Sequence, residues 1–490
     1  MPHLAALHCA PAHEWPLSSE PCCVCTYRPP EFHALCCACP PALMAMSSQL
    51  DFPFTGQCAY AADMESQYAE STTEKVFFAG THRTRNPVDT WQWIAPILPD
   101  VGITRVADLT GLDCIGIPVC NAIRPNARSL AVSQGKGVTL DHARVSAAME
   151  AIELFHAERA FLPTQREAFS TLGAEHALDP SRLSLLQGVQ TVDPDRVLTW
   201  IRGHDLVADR LISVPRDIVA CDLRVDAPCD GVFLTSSNGL GSGNTYEEAA
   251  LHALCEVIER DATCLHQAFA AHIGREPALI DVSTVDDPLC CWLIERLLAA
   301  DIDIHIWPQF SDLALPSFGC AISDCRGGRM PGAPIGTFQG YGCHPDRNVA
   351  LSRAITEAVQ SRLTYISGAR DDLFRDDYAS IQTARNRRNW LTWLGQAGQM
   401  MDFKEIVTWA TDDVAEDLER VLTILASNGF DRAIIVDLSI AGISIPVVKA
   451  IVPGMIEPTL DNEAPEGERV KGFVEKVMAS SRPRERASVS

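Results

Sequence analysis

The chain has 490 residues, with 40 Lys and Arg against 63 Asp and Glu, and a formal net charge of −23. A hydrophobic share of 47% is enough to build a large core, which excludes a mostly disordered protein. The acidic balance argues against nucleic-acid binding, because a phosphate backbone requires a basic surface. No uncharged apolar stretch is long enough to span a bilayer, so we expect a soluble cytoplasmic protein without a membrane segment.

The N-terminal residues 1–74 are rich in Cys and Pro and lack a periodic pattern. We expect a disordered tail here or a start assigned too early, with Met46 and Met64 as later starts. A structural zinc site is the alternative, because two pairs have C-x-x-C spacing. These pairs are Cys22 with Cys25 and Cys36 with Cys39.

Ordered structure is expected from Lys75 onward. Residues 102–109 predict a strand, and 115–123 predict a second one, with Pro118 placing it at a sheet edge or a bulge. Helical patterns cover 139–161, 245–271, 286–300, 347–366 and 412–428, with short strand-like runs at 302–308 and 433–437. This alternation predicts an α/β (α+β) fold. Without a linker in 75–460, we expect one catalytic domain there, followed by a charged C-terminal tail at 461–490 that is mobile in its last dozen residues.

A glycine-rich stretch followed by a helix occurs three times in the chain. The three copies are Gln134-Gly135-Lys136-Gly137 before 146–153, Asn238-Gly239-Leu240-Gly241-Ser242-Gly243-Asn244 before 254–261, and Gly340-Tyr341-Gly342-Cys343-His344-Pro345 before 353–360. The last glycine precedes the first Glu of each helix by 13, 13 and 15 residues. This regularity is hard to attribute to composition.

Each of these helices carries acidic or amide groups at i and i+3, on one face. Glu on the solvated side of an amphipathic helix is the ordinary interpretation. However, the neighbours of Glu150 and Glu153, and of Glu256 and Glu259, are almost all apolar, which predicts burial. Buried ionised carboxylates require cations, and nearby arginines are too few. Oxygen-only ligands favour Mg²⁺.

Mg²⁺ is usually bound through carboxylates together with substrate phosphates, and backbone N–H groups in glycine-rich loops can hold those phosphates. The sequence therefore predicts a nucleoside triphosphate site. It is not a Walker A site, because Gly137 follows Lys136 where Ser or Thr is required. It is not a Rossmann fingerprint either, because the third glycine, Gly243, comes one place early.

At these residues the chain resembles the YcaO family of ATP-dependent enzymes that activate peptide backbone amides, over residues 75–460. The resemblance lies in Ser-x3-Glu-x2-Glu at 146–153, Asn-x3-Glu-x7-Glu-x2-Glu-Arg at 244–260 and Arg-x3-Glu at 353–357. It implies a YcaO-like fold of mixed sheets with flanking helices, and ATP and Mg²⁺ as cofactors. The implied Mg²⁺ ligands are Glu150, Glu153, Glu256, Glu259 and Glu357. The implied nucleotide contacts are Lys136, Ser146, Asn244, Glu248, Arg260 and Arg353.

Further segments look like the subgroup encoded beside a TfuA partner, which is associated with thioamide formation. They are Gly80-Thr81-His82-Arg83, Gly102-Ile103-Thr104-Arg105, Ile123-Arg124-Pro125-Asn126 and Ser367-Gly368-Ala369-Arg370-Asp371-Asp372. The resemblance implies a peptide or protein substrate, a TfuA-like partner and a sulfide donor. The chain ends without the proline-rich tail that azoline-forming members commonly carry.

Two alternatives to thioamide formation stay open at this point. One is an azoline-forming cyclodehydratase, which would use the same ATP site with a side-chain nucleophile. The other is an accessory protein that binds nucleotide without chemistry. The sequence does not identify a residue that carries out the chemical step. It also leaves the oligomeric state open, with a homodimer as one option.

Overall fold

The computed structural model describes residues 72–160, 162–324, 336–376, 378, 390, 392–458 and 467–480, which belong to one compact unit. The expected N-terminal tail, 1–74, lies outside the described ranges except for residues 72–74, and the four cysteines of its zinc alternative lie outside them. None of the described helices is long and apolar enough to cross a membrane.

Helices and strands alternate along the described ranges, as the predicted α/β (α+β) class requires. The helices are α1 (Pro87–Ile94), α2 (Leu140–Ala157), α3 (Phe169–Leu172), α4 (Tyr246–Ile273), α5 (Pro288–Ala299), α6 (Arg347–Ser367), α7 (Val414–Ser427) and α8 (Glu468–Ser480). The strands are β1 (Arg105–Asp108), β2 (Val119–Ile123), β3 (Val132–Lys136), β4 (Thr164–Ala168), β5 (Val197–Asp205), β6 (Arg210–Pro215), β7 (Leu240–Ser242), β8 (Leu279–Asp281), β9 (Ile302–Pro308), β10 (Ser317–Asp324), β11 (Thr337–Cys343), β12 (Met400–Asp402), β13 (Ile434–Asp437) and β14 (Val447–Ile451). All five predicted helices are confirmed.

The strands form four sheets of mixed size. Three are antiparallel, with strand orders β1-β2-β3, β11-β10-β9 and β4-β5-β13-β14-β7, the last extended by β6 beside β5, while β8 and β12 form a parallel pair. The prediction of an edge strand at 115–123 is wrong, because β2 is the central strand of its sheet. Pro118 is tolerated because it lies just before the first residue of β2, where no ladder hydrogen bond is lost.

The three glycine-rich stretches belong to three copies of one strand–turn–helix unit. Unit 1 is β3 with α2, unit 2 is β7 with α4, and unit 3 is β11 with α6. In each, a polar side chain caps the helix by accepting a hydrogen bond from the backbone N–H of the third residue after it. Thr139 accepts from His142, Thr245 from Glu248, and Asp346 from Val349.

One glycine in each unit lies in the strand, directly beneath the helix. A Cβ atom at Gly135 would lie 2.4 Å from the carbonyl oxygen of Ala143, and one at Gly241 would lie 2.7 Å from that of Ala249. At Gly342 the distance to the carbonyl oxygen of Ala350 would be 2.1 Å. No other residue leaves room for this contact. The prediction that these three glycines lie in loops is therefore wrong, since they are strand residues on which a helix packs.

These three glycines give the repeat an exact register. The N-cap residue follows the glycine by four positions in every unit, and the first Glu follows by fifteen. The positions fifteen after the glycine are Glu150, Glu256 and Glu357, and those eighteen after it are Glu153, Glu259 and Gln360. The unequal spacing in the sequence arose because Gly342 corresponds to the penultimate glycine of the other units.

The three units close into a ring. Each helix packs on the strand of its own unit and also on the strand of the next: α2 on β7, α4 on β11, and α6 on β3. Separate apolar clusters surround the three helices and hold them in place. The faces that carry the Glu pairs are thereby brought towards one another at the centre of the ring.

The C-terminal region contains a helix within the range expected to be a charged tail. Helix α8 packs on α4, with Val470 and Phe473 buried against Leu265 and Phe269. Residues 481–490 lie outside the described ranges.

Candidate nucleotide and metal site

The ring brings the five predicted metal ligands together. The charge of Glu153 interacts with those of Glu256 and Glu150, and that of Glu259 interacts with that of Glu357. The positive charge of Lys136 acts on Glu150, which belongs to the first of these sets, and on Glu259 and Glu357, which form the second. Glu259 is buried, at 5% exposure, while the other four side chains are partly exposed to the central cleft.

The carboxylates are held by contacts between consecutive units. Glu153 of unit 1 accepts a hydrogen bond from Ser242 Oγ in the strand of unit 2, at 2.6 Å. Glu259 of unit 2 accepts one from the backbone N–H of Cys343 in the strand of unit 3, at 3.0 Å. Each donor directly follows the strand glycine on which the helix of its unit packs, Gly241 or Gly342, which we call the packing glycine. The equivalent residue of unit 1 is Lys136, whose Nζ atom lies 2.6 Å from Glu357 of unit 3.

The carboxylates repel one another in the absence of metal. Desolvation raises the pKa of Glu150 to about 7, opposed by the charge of Arg370. It raises the pKa of Glu153 to about 8, opposed by the hydrogen bond from Ser242, while Glu256 and Glu150 raise it further. Desolvation and then the Glu357 charge raise the pKa of Glu259. Desolvation acts to raise the pKa of Glu357, but the charge of Lys136, its hydrogen bond and the charge of Arg260 together lower it. The site therefore attracts further cations.

The donor set fits Mg²⁺ bound together with a phosphate ligand. Within the described residues, no three His, Cys, Asp or Glu side chains converge to hold a metal ion by themselves. Mg²⁺ is usually bound through one or two carboxylates, several waters and substrate phosphates. Buried Nε atoms of Arg260 and Arg353 also have no hydrogen-bond partner in the part of the chain that the structure describes. Arg260 also lies 3.9 Å from Glu256, so its free donor is the Nε atom. Such donors beside a carboxylate ring suit an anionic ligand.

Asn244 and Glu248, both predicted nucleotide contacts, lie together at the start of α4. Glu248 accepts hydrogen bonds from the backbone N–H and the side-chain amide of Asn244, both at 2.9 Å, and from the backbone N–H of Thr84 at 2.5 Å. Asn244 in turn accepts from Thr90 Oγ1 at 2.8 Å, and Arg83 lies 3.9 Å from Glu248. The segment before α1 is thus fastened to unit 2.

A cavity beside these residues also contains Arg353. It is lined further by His82, His252 and His344, among others. Burial lowers the pKa of all three imidazoles, so they are neutral near pH 7. Ser146, on the adjoining helix α2, lies 3.4 Å from the backbone nitrogen of Lys136.

Several residues of the site were not predicted from the sequence: Thr84, Thr90, His252 and His344. His82 and Arg83 belong to a subgroup-like segment, but no role at the site was predicted for them. The repeat itself could have identified His252. His252 stands eleven positions after Gly241, as Ser146 stands after Gly135 and Arg353 after Gly342. The contacts made by residues 83–90 have no such signal in the sequence.

The subgroup-like segments do not all reach the site. Arg83 lines the cavity, and Arg370 acts on Glu150. Arg124, in contrast, forms a buried pair with Glu158 at 2.5 Å, in a structural role.

A mixed α/β ring that lines its centre with carboxylates, beside arginines whose Nε atoms lack a partner among the described residues, fits a class of protein that binds a metal–nucleotide complex. The model of a known family, described as YcaO cyclodehydratase, ATP- and Mg²⁺-binding, matches residues 134–456. The chain belongs to the YcaO family, whose members are ATP-dependent enzymes that modify peptides. ATP and Mg²⁺ are thus the cofactors of this protein.

Relatives among known proteins support the same assignment. A protein of Rhizobium leguminosarum bv. trifolii, named for its place in the tfuA 3′ region, is 33% identical over 385 residues, which is 76% of this chain and 88% of the relative. A protein of Methanothermobacter thermautotrophicus is 34% identical over 393 residues, 79% of this chain and 98% of the relative.

Solved structures share the fold. YcaO from Methanopyrus kandleri, bound with AMPPCP and Mg²⁺, superposes with a TM-score of 0.61 at 21% identity, covering 81% of this chain and 100% of that one. A heterocyclase in complex with substrate and cofactor gives a TM-score of 0.64 at 21% identity, covering 82% of this chain and 57% of the heterocyclase.

Proposed function

We propose that this protein uses ATP and Mg²⁺ to phosphorylate the oxygen of a peptide backbone amide, and that sulfide then converts the activated amide to a thioamide. The observation that carries the activation step is the ring of five carboxylates beside the cavity with Arg353 and Glu248. The tfuA-region name of the Rhizobium relative supports a TfuA-like partner and therefore the sulfide step.

The reaction balances as two displacements. The amide oxygen attacks the γ-phosphorus of ATP, an O–P bond forms, and ADP leaves. Hydrosulfide then adds to the amide carbon, and the C–O bond breaks as inorganic phosphate departs with the former amide oxygen. The products are a thioamide, ADP and phosphate. An amide oxygen is a poor leaving group, so the first step supplies what the second requires.

The residues of the chain divide this work. Glu150, Glu153, Glu256, Glu259 and Glu357 would hold Mg²⁺, which when bound neutralises the charge that develops on the phosphoryl oxygens. Lys136, Arg260 and Arg353 would donate to the triphosphate. Ser146 on α2, together with Asn244 and Glu248 at the start of α4, would orient the nucleotide.

The experiment combines purified protein with ATP, Mg²⁺, sulfide, a TfuA-like partner and a peptide encoded beside its gene. Intact-mass measurement of the peptide should show a gain of about 16 Da, from exchange of oxygen for sulfur during the activation chemistry. The absence of peptide-dependent phosphate release under every condition would favour the accessory nucleotide-binding protein instead.

An azoline-forming cyclodehydratase is the second candidate, favoured by the description of the family model and by the fold shared with a heterocyclase. Its product would lose about 18 Da as water and would need a Cys, Ser or Thr beside the modified amide, although ATP is consumed in the same way. A water-loss product that forms without sulfide would replace thioamide formation by this alternative.

A further inference from the structure

The sixth position of the carboxylate ring is not a carboxylate. The three units place six residues at equivalent points, fifteen and eighteen positions after the packing glycine. Five are Glu, and the sixth is Gln360 of unit 3, on α6. The ring therefore departs from threefold symmetry of charge at one position, where a neutral amide takes the place of a carboxylate.

That place is the junction at which unit 3 meets unit 1. Helix α6 packs here on β3, and Thr364, one turn beyond Gln360, donates a hydrogen bond to the side chain of Gln134. At the other two junctions a Glu of one unit faces a Glu of the next: Glu153 with Glu256, and Glu259 with Glu357. At this one, Gln360 has replaced the Glu that those junctions carry.

In addition to Lys136, a second cation lies at the same junction. Arg370, just beyond the end of α6, is held by Asp372 through a 2.7 Å hydrogen bond from Nε and a second one from Nη2. Asp371 accepts a hydrogen bond from the backbone N–H of Ala131 at 3.1 Å, which ties the segment to the start of β3. The guanidinium is 18% exposed, and its charge acts on Glu150. Arg370 is thus fixed beside the ring without being neutralised by a ring carboxylate in direct contact.

The chemistry of this junction differs from that of a metal site. An amide side chain both donates and accepts hydrogen bonds, as a peptide backbone amide does, whereas a Glu can only accept when ionised. A guanidinium donates to an oxygen on which negative charge develops. Lys136, the other cation here, is paired with a ring carboxylate, Glu357, whereas the partner of Arg370 is Asp372, which lies outside the ring. A neutral amide beside a fixed cation suits a polar, uncharged ligand next to the phosphoryl group.

We propose that Gln360 and Arg370 form the subsite for the backbone amide that is to be phosphorylated. Gln360 pairs with the C=O and N–H of the peptide, and Arg370 donates to the amide oxygen. This assignment rests on the proposed function, because it identifies where that amide substrate sits relative to the metal–nucleotide complex.

The test compares wild type, Gln360→Glu, Arg370→Gln and, as a matched control, Arg420→Gln, whose arginine lies in an exposed pair on α7. Gln360→Glu is nearly isosteric and restores the symmetry of the ring, and melting temperatures verify that each variant is folded. Two quantities are measured: the Kd of a fluorescent ATP analogue with Mg²⁺, and ligand-observed NMR binding of N-acetyl-triglycine amide to protein loaded with a non-hydrolysable ATP analogue.

We expect wild type and Arg420→Gln to bind the triglycine amide, and both site variants to bind it at least about tenfold more weakly, while the nucleotide Kd changes by less than about threefold. Arg370→Lys should recover part of the loss, because the charge is kept but the planar fork is not. Failure of wild type to bind the amide, retention of binding in the variants, or a change in nucleotide affinity of more than about tenfold would each overturn the proposal. Wild type that binds the amide but never transfers phosphate would leave the subsite in place and remove the proposed function.

Discussion

At the scale of single residues, the chemistry of this protein depends on an excess of negative charge at one point. Among the described residues, two cations come within ion-pair distance of a ring carboxylate. Lys136 lies 2.6 Å from Glu357, and Arg260 lies 3.9 Å from Glu256. Two cations cannot neutralise five carboxylates. Such a site is poorly stable by itself and acquires its function by binding cations, which is what a metal–nucleotide complex supplies.

Replacing Glu259 by Gln tests this point. The variant should lose ATP turnover by at least about a hundredfold, because a metal ligand is removed. Its melting temperature without Mg²⁺ should hold or rise, since repulsion with Glu357 is relieved and the amide oxygen still accepts from Cys343. Phosphate release and calorimetry measure the two effects.

The control for that variant is Glu416→Gln, which removes a carboxylate from an exposed helical pair with Arg420. It should leave both quantities unchanged, because such pairs contribute little. Wild-type ATPase activity of Glu259→Gln at saturating Mg²⁺ would show that the metal assignment of Glu259 is wrong.

The response to Mg²⁺ should depend on pH. The folded-state pKa values of Glu150 and Glu153, about 7 and about 8, lie above those of an unfolded chain. The folded state therefore binds these protons more tightly, so the stability they contribute is present at low pH and is lost as pH rises through about 8. Mg²⁺ needs the ionised forms. The rise in melting temperature on adding Mg²⁺ should be larger at about pH 8 than at about pH 6.

Differential scanning fluorimetry with and without Mg²⁺ at each pH measures this effect. The buried histidines also make stability depend on pH, but their contribution cancels in the difference, because they lie outside the carboxylate set. Equal shifts at both pH values would contradict the prediction.

At the scale of the elements, three strand–helix contacts through glycine determine where the Glu pairs lie. Because no Cβ intervenes, each helix rests on its strand at backbone distance. The fifteen-residue interval from that contact then sets the position of the first Glu in every unit. A small change at the contact would move the whole helix and the ligands it carries.

Gly342→Ala should therefore affect both stability and activity. The added Cβ would lie 2.1 Å from Ala350 O and 2.8 Å from the Cβ atom of Arg353. We expect a loss of about 2 kcal/mol or more in the free energy of unfolding. Turnover should fall beyond what the unfolded fraction explains, since Arg353 and Glu357 are displaced. Denaturant unfolding and ATPase assays measure the two losses.

Gly111→Ala is the matched control, because no atom lies within 4 Å of the position where its Cβ would be. Its free energy of unfolding should stay within about 0.5 kcal/mol of wild type. A Gly342→Ala variant as stable and active as this control would show that the close strand–helix contact is dispensable.

At the scale of the whole molecule, the ring is fastened by chain segments that lie far apart in sequence. The first described residues belong to it: Thr73 Oγ1 donates to Asp413 at 2.7 Å, and Lys75 pairs with Asp417 at 2.5 Å, both side chains being fully buried. The next residues, through Thr90, reach the start of α4. Everything known of the site therefore lies after residue 71.

Deleting residues 1–63 should leave activity and melting temperature unchanged, because these contacts are all retained. Lys75→Met, in contrast, should destabilise the protein by about 3 kcal/mol, since it leaves Asp417 buried without its partner. Activity assays and elemental analysis of the full-length and truncated proteins test the deletion. Denaturant unfolding measures the effect of Lys75→Met. Stoichiometric zinc in the full-length protein that is lost together with activity on truncation would restore the zinc alternative.

The amino-acid sequence by itself determined the local features of this protein. Apolar periodicity and capping residues such as Thr139 and Asp346 were sufficient for the helices, because these features depend on neighbours within a few residues. The Glu pairs indicated a metal–nucleotide site for the same reason, since i and i+3 share a helix face wherever the helix lies.

Only the tertiary structure decided what the glycines do and which groups meet across units. Gly342 lies in a strand because α6 packs on it, and Glu153 meets Ser242 because α2 also contacts β7. These contacts join residues remote in sequence, for which local periodicity carries no information. The amide at Gln360 was evident in the sequence, but only the packing of α6 on β3 placed it at the junction of units 3 and 1.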